Sequence, residues 1–157
     1  MPSLENKVSF ITGAGSGIGL ATALKMGAEG STVICSDINE QSAQAAATRI
    51  EDAGGKASVN ALDTSDEAAV KEALSKTVKD FGRLDVLYNN AGVARQGWGL
   101  TNDVNLAGVY YGLMHACPIM AEQGGGSIVN TASAAGLVAI YAPGADFMKN
   151  PAVLEGT

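Results

Sequence analysis

The 157-residue sequence holds one histidine, two cysteines, four prolines and one tryptophan. One histidine and two scattered thiols do not make a metal constellation, which needs three or four such ligands close together. Cys35 and Cys117 both fall in apolar segments, so both are expected to be buried, reduced thiols. His115, on a mostly apolar stretch, reads as structural. Charge is sparse at 17%, and basic residues are the minority, 10 against 16 acidic, for a net charge of −6. That excludes the basic face a nucleic-acid partner requires. The first residues carry no basic segment followed by an apolar core, as a secretory leader would. The longest apolar stretch, Val104 to Ala121, is broken by Asn105, His115 and Pro118 and does not read as a membrane span. A cytoplasmic protein with no membrane partner is the expectation.

Glycine and aliphatic residues are plentiful: 20 glycines, and 46% hydrophobic residues overall. That composition is globular, and the length suits one domain with a sizeable core. One stretch organises the rest, Lys7 through Ala23. Val8, Phe10 and Ile11 read as a buried strand, and Thr12 to Gly19 turns the chain. From Gly17 the spacing of Ile18, Leu20, Ala21 and Leu24 reads as a helix packed back on that strand. Strand, glycine-rich turn and helix N-terminus together make an anion site. Glycine lets the backbone approach a phosphate, and the first helical N–H groups point at it. Asp37 follows Gly19 by 18 residues, at the end of a second strand. An acid there is placed to hold a ribose hydroxyl pair. It also repels a 2′-phosphate, and no Arg or Lys directly follows it, which favours NAD over NADP.

Strands and helices alternate along the chain. Strands are expected at 7–12, 32–36, 56–62, 84–89 and 127–131. Helices are expected at 17–29, 40–53 with Asn39 as cap, from Ser65 or Asp66 to Phe81, and from Trp98 or Asn102 to Glu122. Gly54-Gly55 and Gly124-Gly-Gly126 end two of them. The alternation implies an α/β fold with a parallel sheet, helices on both faces and right-handed crossovers.

Five motifs in order resemble the short-chain dehydrogenase/reductase family. They are Thr12-Gly13-x-x-x-Gly17-x-Gly19, Asp37, Asp63, Asn89-Asn90-Ala91-Gly92, and Ser127-Ile-Val-Asn-Thr-Ala-Ser133. The resemblance implies a Rossmann-type doubly wound parallel sheet, order 3-2-1-4-5, incomplete after strand five. It implies that Gly13, Gly17 and Gly19 form the pyrophosphate turn, with Ser16 and the Ile18 N–H as donors. It assigns Asp37 to the adenosine ribose, Asp63 to the adenine amino group, and Asn90, Ala91 and Gly92 to the cofactor wall. Asn105 resembles the helix asparagine that anchors a relay water, and Ser133 the serine that hydrogen-bonds the substrate oxygen. The same family forms homotetramers or dimers. A buried amide at Asn105 is costly unless hydrogen-bonded, so a structural share is expected of it as well. Asp63 can equally cap a turn.

The family also needs a tyrosine as general acid/base and a lysine four residues on that lowers its pKa. A tyrosine pKa near 10 is otherwise too high for base catalysis at neutral pH. This sequence has no Tyr-x-x-x-Lys. Tyr141 is eight residues past Ser133, and position 145 is Ala. Tyr141 is either the catalytic tyrosine or a residue of a sixth strand, Ile140-Tyr-Ala-Pro-Gly144. Pro143 and Gly144 resemble the segment that backs the nicotinamide. Ten residues separate Thr131 from Ala142, and a parallel crossover takes about a dozen or more. Residues 1–157 are therefore expected to form one domain whose sequence joins non-adjacent pieces of a longer chain. The junctions would lie near Gly97/Trp98 and within 137–147. The functional expectation is an NAD-dependent oxidoreductase interconverting a secondary alcohol and a ketone. The alternative is a dinucleotide-binding protein without catalysis.

Overall fold

A computed structural model describes residues 3–94 and 97–133. Five strands, β1 (Val8–Thr12), β2 (Thr32–Asp37), β3 (Lys56–Ala61), β4 (Val86–Asn89) and β5 (Ser127–Asn130), form one sheet in the order β3-β2-β1-β4-β5. Every neighbouring pair is parallel. The order reverses between β1 and β4, which opens a crevice beyond the carboxyl ends of those strands. Helices α1 (Gly17–Ala28), α2 (Glu40–Asp52) and α3 (Glu67–Phe81) supply the first crossovers. The last is a single helical run, α4 (Trp98–Asn102), a π-helical turn (Asp103–Ala107) and α5 (Gly108–Glu122).

The strand period of two divides the core. Phe10, Ile34 and Leu87 face α3 and α5, where they meet Val70, Leu74, Ala116 and Met120. Ile11, Val33, Cys35 and Tyr88 face the other way, onto Ala23 of α1 and Ala46, Ala47 and Ile50 of α2. Each large side chain so buried contributes about 1.5–3 kcal/mol. Small residues let helices and strands come close. The Cβ of a residue replacing Gly27 would lie 2.6 Å from Ile50 Cγ2.

Caps explain where helices begin. Asn39 Oδ1 accepts from the Ser42 N–H at 3.0 Å and Asp66 Oδ1 from Ala69 at 3.1 Å. Asp66, not Ser65, is thus the cap of α3. Gly82 takes the left-handed conformation, φ 79°, and closes it.

Three expectations change. β4 starts at Val86; the Asp85 backbone still donates to Val8 O and accepts from the Ser127 N–H, while the Leu84 backbone pairs with a side chain. The Gln123 side-chain amide pairs with the Leu84 backbone, accepting from its N–H at 3.0 Å and donating to its carbonyl at 2.6 Å. The Asp85 carboxylate accepts from the Val8 N–H, from Lys7 Nζ and from Arg83 Nε and Nη2. Burial pushes this carboxyl up, but the bonds from Arg83, Val8 and Lys7 outweigh that and hold its pKa below the usual value. The second change is Cys117, which is exposed. The buried stripe of α5 runs Gly108, Gly112, Ala116, Met120, and Cys117 sits about 100° around the helix from it. Cys35 is buried as expected, and burial pushes its thiol up to about 11. Third, the helix from Trp98 to Glu122 is not uniformly α. His115 is half-buried, with Nε2 3.4 Å from Glu67 Oε1. Among the described residues no helix is long and apolar enough to cross a membrane.

Candidate functional site

The site forms where β1 gives way to α1. Gly13 and Gly17 take positive φ, 66° and 51°, a conformation that strains residues with a Cβ. The Leu20 N–H bonds Ser16 O at 3.0 Å, so the N–H groups of Gly17, Ile18 and Gly19 have no partner within the helix. No acidic side chain stands in the first turn, and the Ser16 side chain does not cap it. The positive end of the helix is therefore open to an external anion.

Glycine is required here for close approach as well as for φ. A Cβ on residue 19 would lie 2.1 Å from Gly13 O and 2.6 Å from Asn90 Nδ2. A Cβ on residue 15 would lie 2.5 Å from Ser42 Cβ and 2.8 Å from Asp37 Oδ2. At Gly17 a Cβ would meet nothing within 4 Å, so this is the side left free for a ligand.

Asp37 ends β2 facing the turn. Its Oδ2 accepts from the Gly15 N–H at 2.9 Å and its Oδ1 from the Asn39 N–H at 3.0 Å. Two backbone donors orient an acceptor-only group at the rim. An open cleft of about 530 Å³ runs from there along the strand ends. Gly13, Ser16, Gly17, Ile18 and Asp37 line one part of it. Asp63, Asn90, Ala91 and Gly92 line the rest, so nine of the ten cofactor residues expected within the described chain share one cavity. Gly19 lies behind it, under the turn. Asp63 Oδ1 also accepts from the Ser65 N–H and hydroxyl, at 2.9 and 2.6 Å. It therefore holds the turn before α3 as well as lining the cleft.

Asn90 Nδ2 donates to Thr12 O at 3.1 Å and Gly13 O at 3.4 Å, tying the end of β4 to the glycine turn. Thr12 returns the tie. Its Oγ1 accepts from the N–H groups of both Asn90 and Ala91 at 3.0 Å. Sequence reasoning gave Thr12 no role of its own. The available signal was a hydroxyl residue closing the strand, directly before the glycine turn.

Asn105 lies in the π-helical turn and is exposed, not buried. Its Oδ1 accepts from the Val93 N–H and its Nδ2 donates to the Val93 carbonyl, both at 2.8 Å. The side chain thus stands in for a strand partner and fixes the loop after β4. Both ends of its amide face Val93, which gives it a positioning task. Ser133 lies just past β5 at the same edge of the sheet, and Thr131 before it lines the cleft. Tyr141, Pro143 and Gly144 lie outside the described residues, as do the junctions expected within 137–147.

The fold is shared with known proteins. A sequence profile described as short chain dehydrogenase matches residues 7–144. A cyclohexanol dehydrogenase from an Acinetobacter species is 43% identical over 146 residues, 87% of this chain and 58% of that one. An NAD+-bound xylitol dehydrogenase superposes with a TM-score of 0.83 at 33% identity, over 88% of this chain and 57% of that one. A metagenomic short-chain oxidoreductase in complex with NADP does so with a TM-score of 0.83 at 34% identity, over 88% and 67%. The chain spans under three-fifths of the length of the curated relatives it matches, 58% and 57% of the first two. Profile, relatives and superpositions converge on one conclusion: this chain belongs to the short-chain dehydrogenase family.

Proposed function

We propose that the protein is an NAD-dependent oxidoreductase that interconverts a secondary alcohol and a ketone. The observation that carries the reading is the pairing of an uncapped helix N-terminus with the Asp37 carboxylate across one cleft. A pyrophosphate suits the first and a ribose diol the second. The open side of Gly17 and the close-packed glycines 13, 15 and 19 fit such a ligand. NAD supplies the hydride acceptor and donor when bound. The chain's own groups do the rest. The Gly17, Ile18 and Gly19 N–H groups and Ser16 hold the diphosphate. Asp37 accepts from the adenosine ribose hydroxyls, and Asp63 from the adenine amino group. Ala91 and Gly92 form the wall beside the cofactor.

For the reaction, Ser133 hydrogen-bonds the substrate oxygen, and Asn105 supports the proton relay and holds the loop at Val93. A tyrosine exchanges the substrate proton, with Tyr141 as the candidate, and Pro143 and Gly144 back the nicotinamide. The tyrosine needs a cation to bring its pKa toward neutrality, and residue 145 is Ala rather than Lys. That sequence fact supports a second reading, dinucleotide binding without turnover. We place the protein in the cytoplasm as a homo-oligomer, dimer or tetramer, by family likeness.

Calorimetric titration of the full-length protein with NAD and NADP tests the cofactor. NAD should bind more tightly. In Asp37→Ala, NAD affinity should fall about tenfold, the equivalent of about 1.4 kcal/mol, and the gap to NADP should close. Equal or tighter NADP binding by the wild type would falsify the assignment. A panel of secondary alcohols, read as NAD reduction, separates the two readings. Tight NAD binding without turnover favours the second.

A further inference from the structure

The face of β4 that looks toward α1 and α2 carries a tyrosine whose hydroxyl the core does not need. Tyr88 is 9% exposed, and its ring packs in the layer with Ile11 and Ala14. A phenylalanine would fill that layer equally well. The β4–β5 register sets Tyr88 opposite Val129. Side chains two residues further on share the same face, so Asn90 and Thr131 stand side by side above the pair. The phenol leans along the strand, and its oxygen lies 3.0 Å from Thr131 Oγ1. Thr131 Oγ1 in turn lies 3.1 Å from Asn90 Oδ1.

Donor counting sets the direction of this chain of bonds. Asn90 Nδ2 donates to the Thr12 and Gly13 carbonyls, so its Oδ1, which can only accept, faces Thr131. The Thr131 hydroxyl donates toward that oxygen and toward the Tyr88 phenol oxygen, so its single proton is shared between two acceptors. An unbroken path runs from Tyr88 through Thr131 and Asn90 to the carbonyl of Gly13, in the glycine turn. Thr131 is exposed and would otherwise sample its rotamers in solvent. Ser133 is two residues beyond it.

We propose that Tyr88 is a positioning residue. Its hydroxyl locks Thr131, and through Thr131 it holds the segment carrying Ser133 at a set distance from the glycine turn. The proposal rests on the oxidoreductase reading for its catalytic consequence, but the lock itself belongs to the free protein. Tyr88→Phe in the full-length protein removes one oxygen and leaves the ring. Backbone amide exchange at residues 131–133, measured without cofactor, should quicken about three- to tenfold, the worth of one net hydrogen bond. The kcat should fall about tenfold, since a small misplacement of a reacting group costs rate. KM and the NAD dissociation constant should stay within about twofold, the signature of an effect confined to the transition state. Thr131→Val should reproduce these changes, and adding Tyr88→Phe to it should change nothing further. Thr131→Ser, which keeps the hydroxyl, should restore exchange and kcat.

Unchanged exchange in Tyr88→Phe overturns the proposal, whatever the activity. So does quickened exchange with unchanged kcat, or NAD affinity falling in step with kcat, which marks general loosening of the core. A wild-type protein that turns over no alcohol refutes the oxidoreductase reading instead. The lock then stands or falls on exchange alone.

Discussion

The two ends of the sheet hold clefts of nearly equal size, about 530 Å³ beyond the carboxyl ends of the strands and about 520 Å³ at their amino ends. Volume does not distinguish them; the polarity of the backbone does. At the carboxyl end α1 presents unpaired N–H groups, and Asp37 is held outward by two backbone donors. At the amino end the walls include the carboxyl ends of α1 and α2, at Gly27, Ala28, Ala53 and Gly54, and carbonyl ends repel an anion. Of the cations there, Lys7, Lys56 and Arg83, Lys7 and Arg83 are taken up by Asp85. One end is built to meet a ligand and the other to close on itself. A parallel sheet makes this asymmetry general, because all its strands point one way and the crossover helices return the other way.

The largest expected effect comes from filling the close approach at the carboxyl end. In Gly19→Ala the new Cβ would meet a backbone oxygen at 2.1 Å, which the turn cannot move cheaply. We expect a loss of about 3 kcal/mol in stability by urea unfolding, at the upper end for overpacking. Displacing the helix N-terminus by the same energy weakens NAD binding more than about a hundredfold by titration. Gly17→Ala is the control, since nothing stands within 4 Å of its Cβ. It should cost about 1–2 kcal/mol for φ alone. Equal effects at the two positions would break the argument from close approach.

Asp85→Asn tests the amino end. The variant keeps the shape and loses charge-assisted bonds, so stability should fall by about 1–3 kcal/mol, while NAD affinity stays within about twofold. The carboxyl's pKa is lowered by folding, so its contribution is present above the unfolded value near 3.9. It is lost as pH falls through the lower, folded value. The gap between wild type and variant in urea midpoint should thus hold steady around neutrality and narrow in acid. A gap that widens in acid, or a matching loss of NAD affinity, would mean the two ends are not separate.

What the sequence disclosed divides along the same line. The glycine spacing at 13, 17 and 19, Asp37 at the end of β2 and the order of the strands were legible, because each follows from local chain geometry. The ties across the sheet were not. Thr12 accepts from the N–H groups of residues 90 and 91, a pairing set by strand order rather than by neighbours in sequence. The π-helical turn at Asp103–Ala107 was invisible for another reason. It changes the helical repeat locally, so one phase cannot describe the faces on both sides of it. Asn105, expected among apolar neighbours, stands exposed in that turn, and Cys117, expected in the core, lies off the buried stripe beyond it. The segment after Ser133 drew conflicting readings of Tyr141 because its spacing fits neither a parallel crossover nor a Tyr-x-x-x-Lys site.

The smallest effect is expected where the amino end is most exposed. Glu29 caps the carboxyl end of α1 and accepts from Lys25 Nζ at 2.7 Å and from the Ser3 N–H and hydroxyl at 3.2 and 3.0 Å. Bonds from Lys25 first, then from Ser3, hold its pKa down at about 2. Glu29→Gln removes that attraction, but it also removes a negative charge from a helix carboxyl end, where the dipole disfavours it. The two changes oppose each other. The melting temperature should therefore drop slightly or not at all, and added salt should erase the difference. Because the folded pKa is lowered, any stabilisation is present above the unfolded value and disappears as pH falls through about 2. Wild type and variant should then converge only in strong acid, and NAD affinity should be identical throughout. A change in NAD binding from this position would show that the closed end of the sheet reaches the open one.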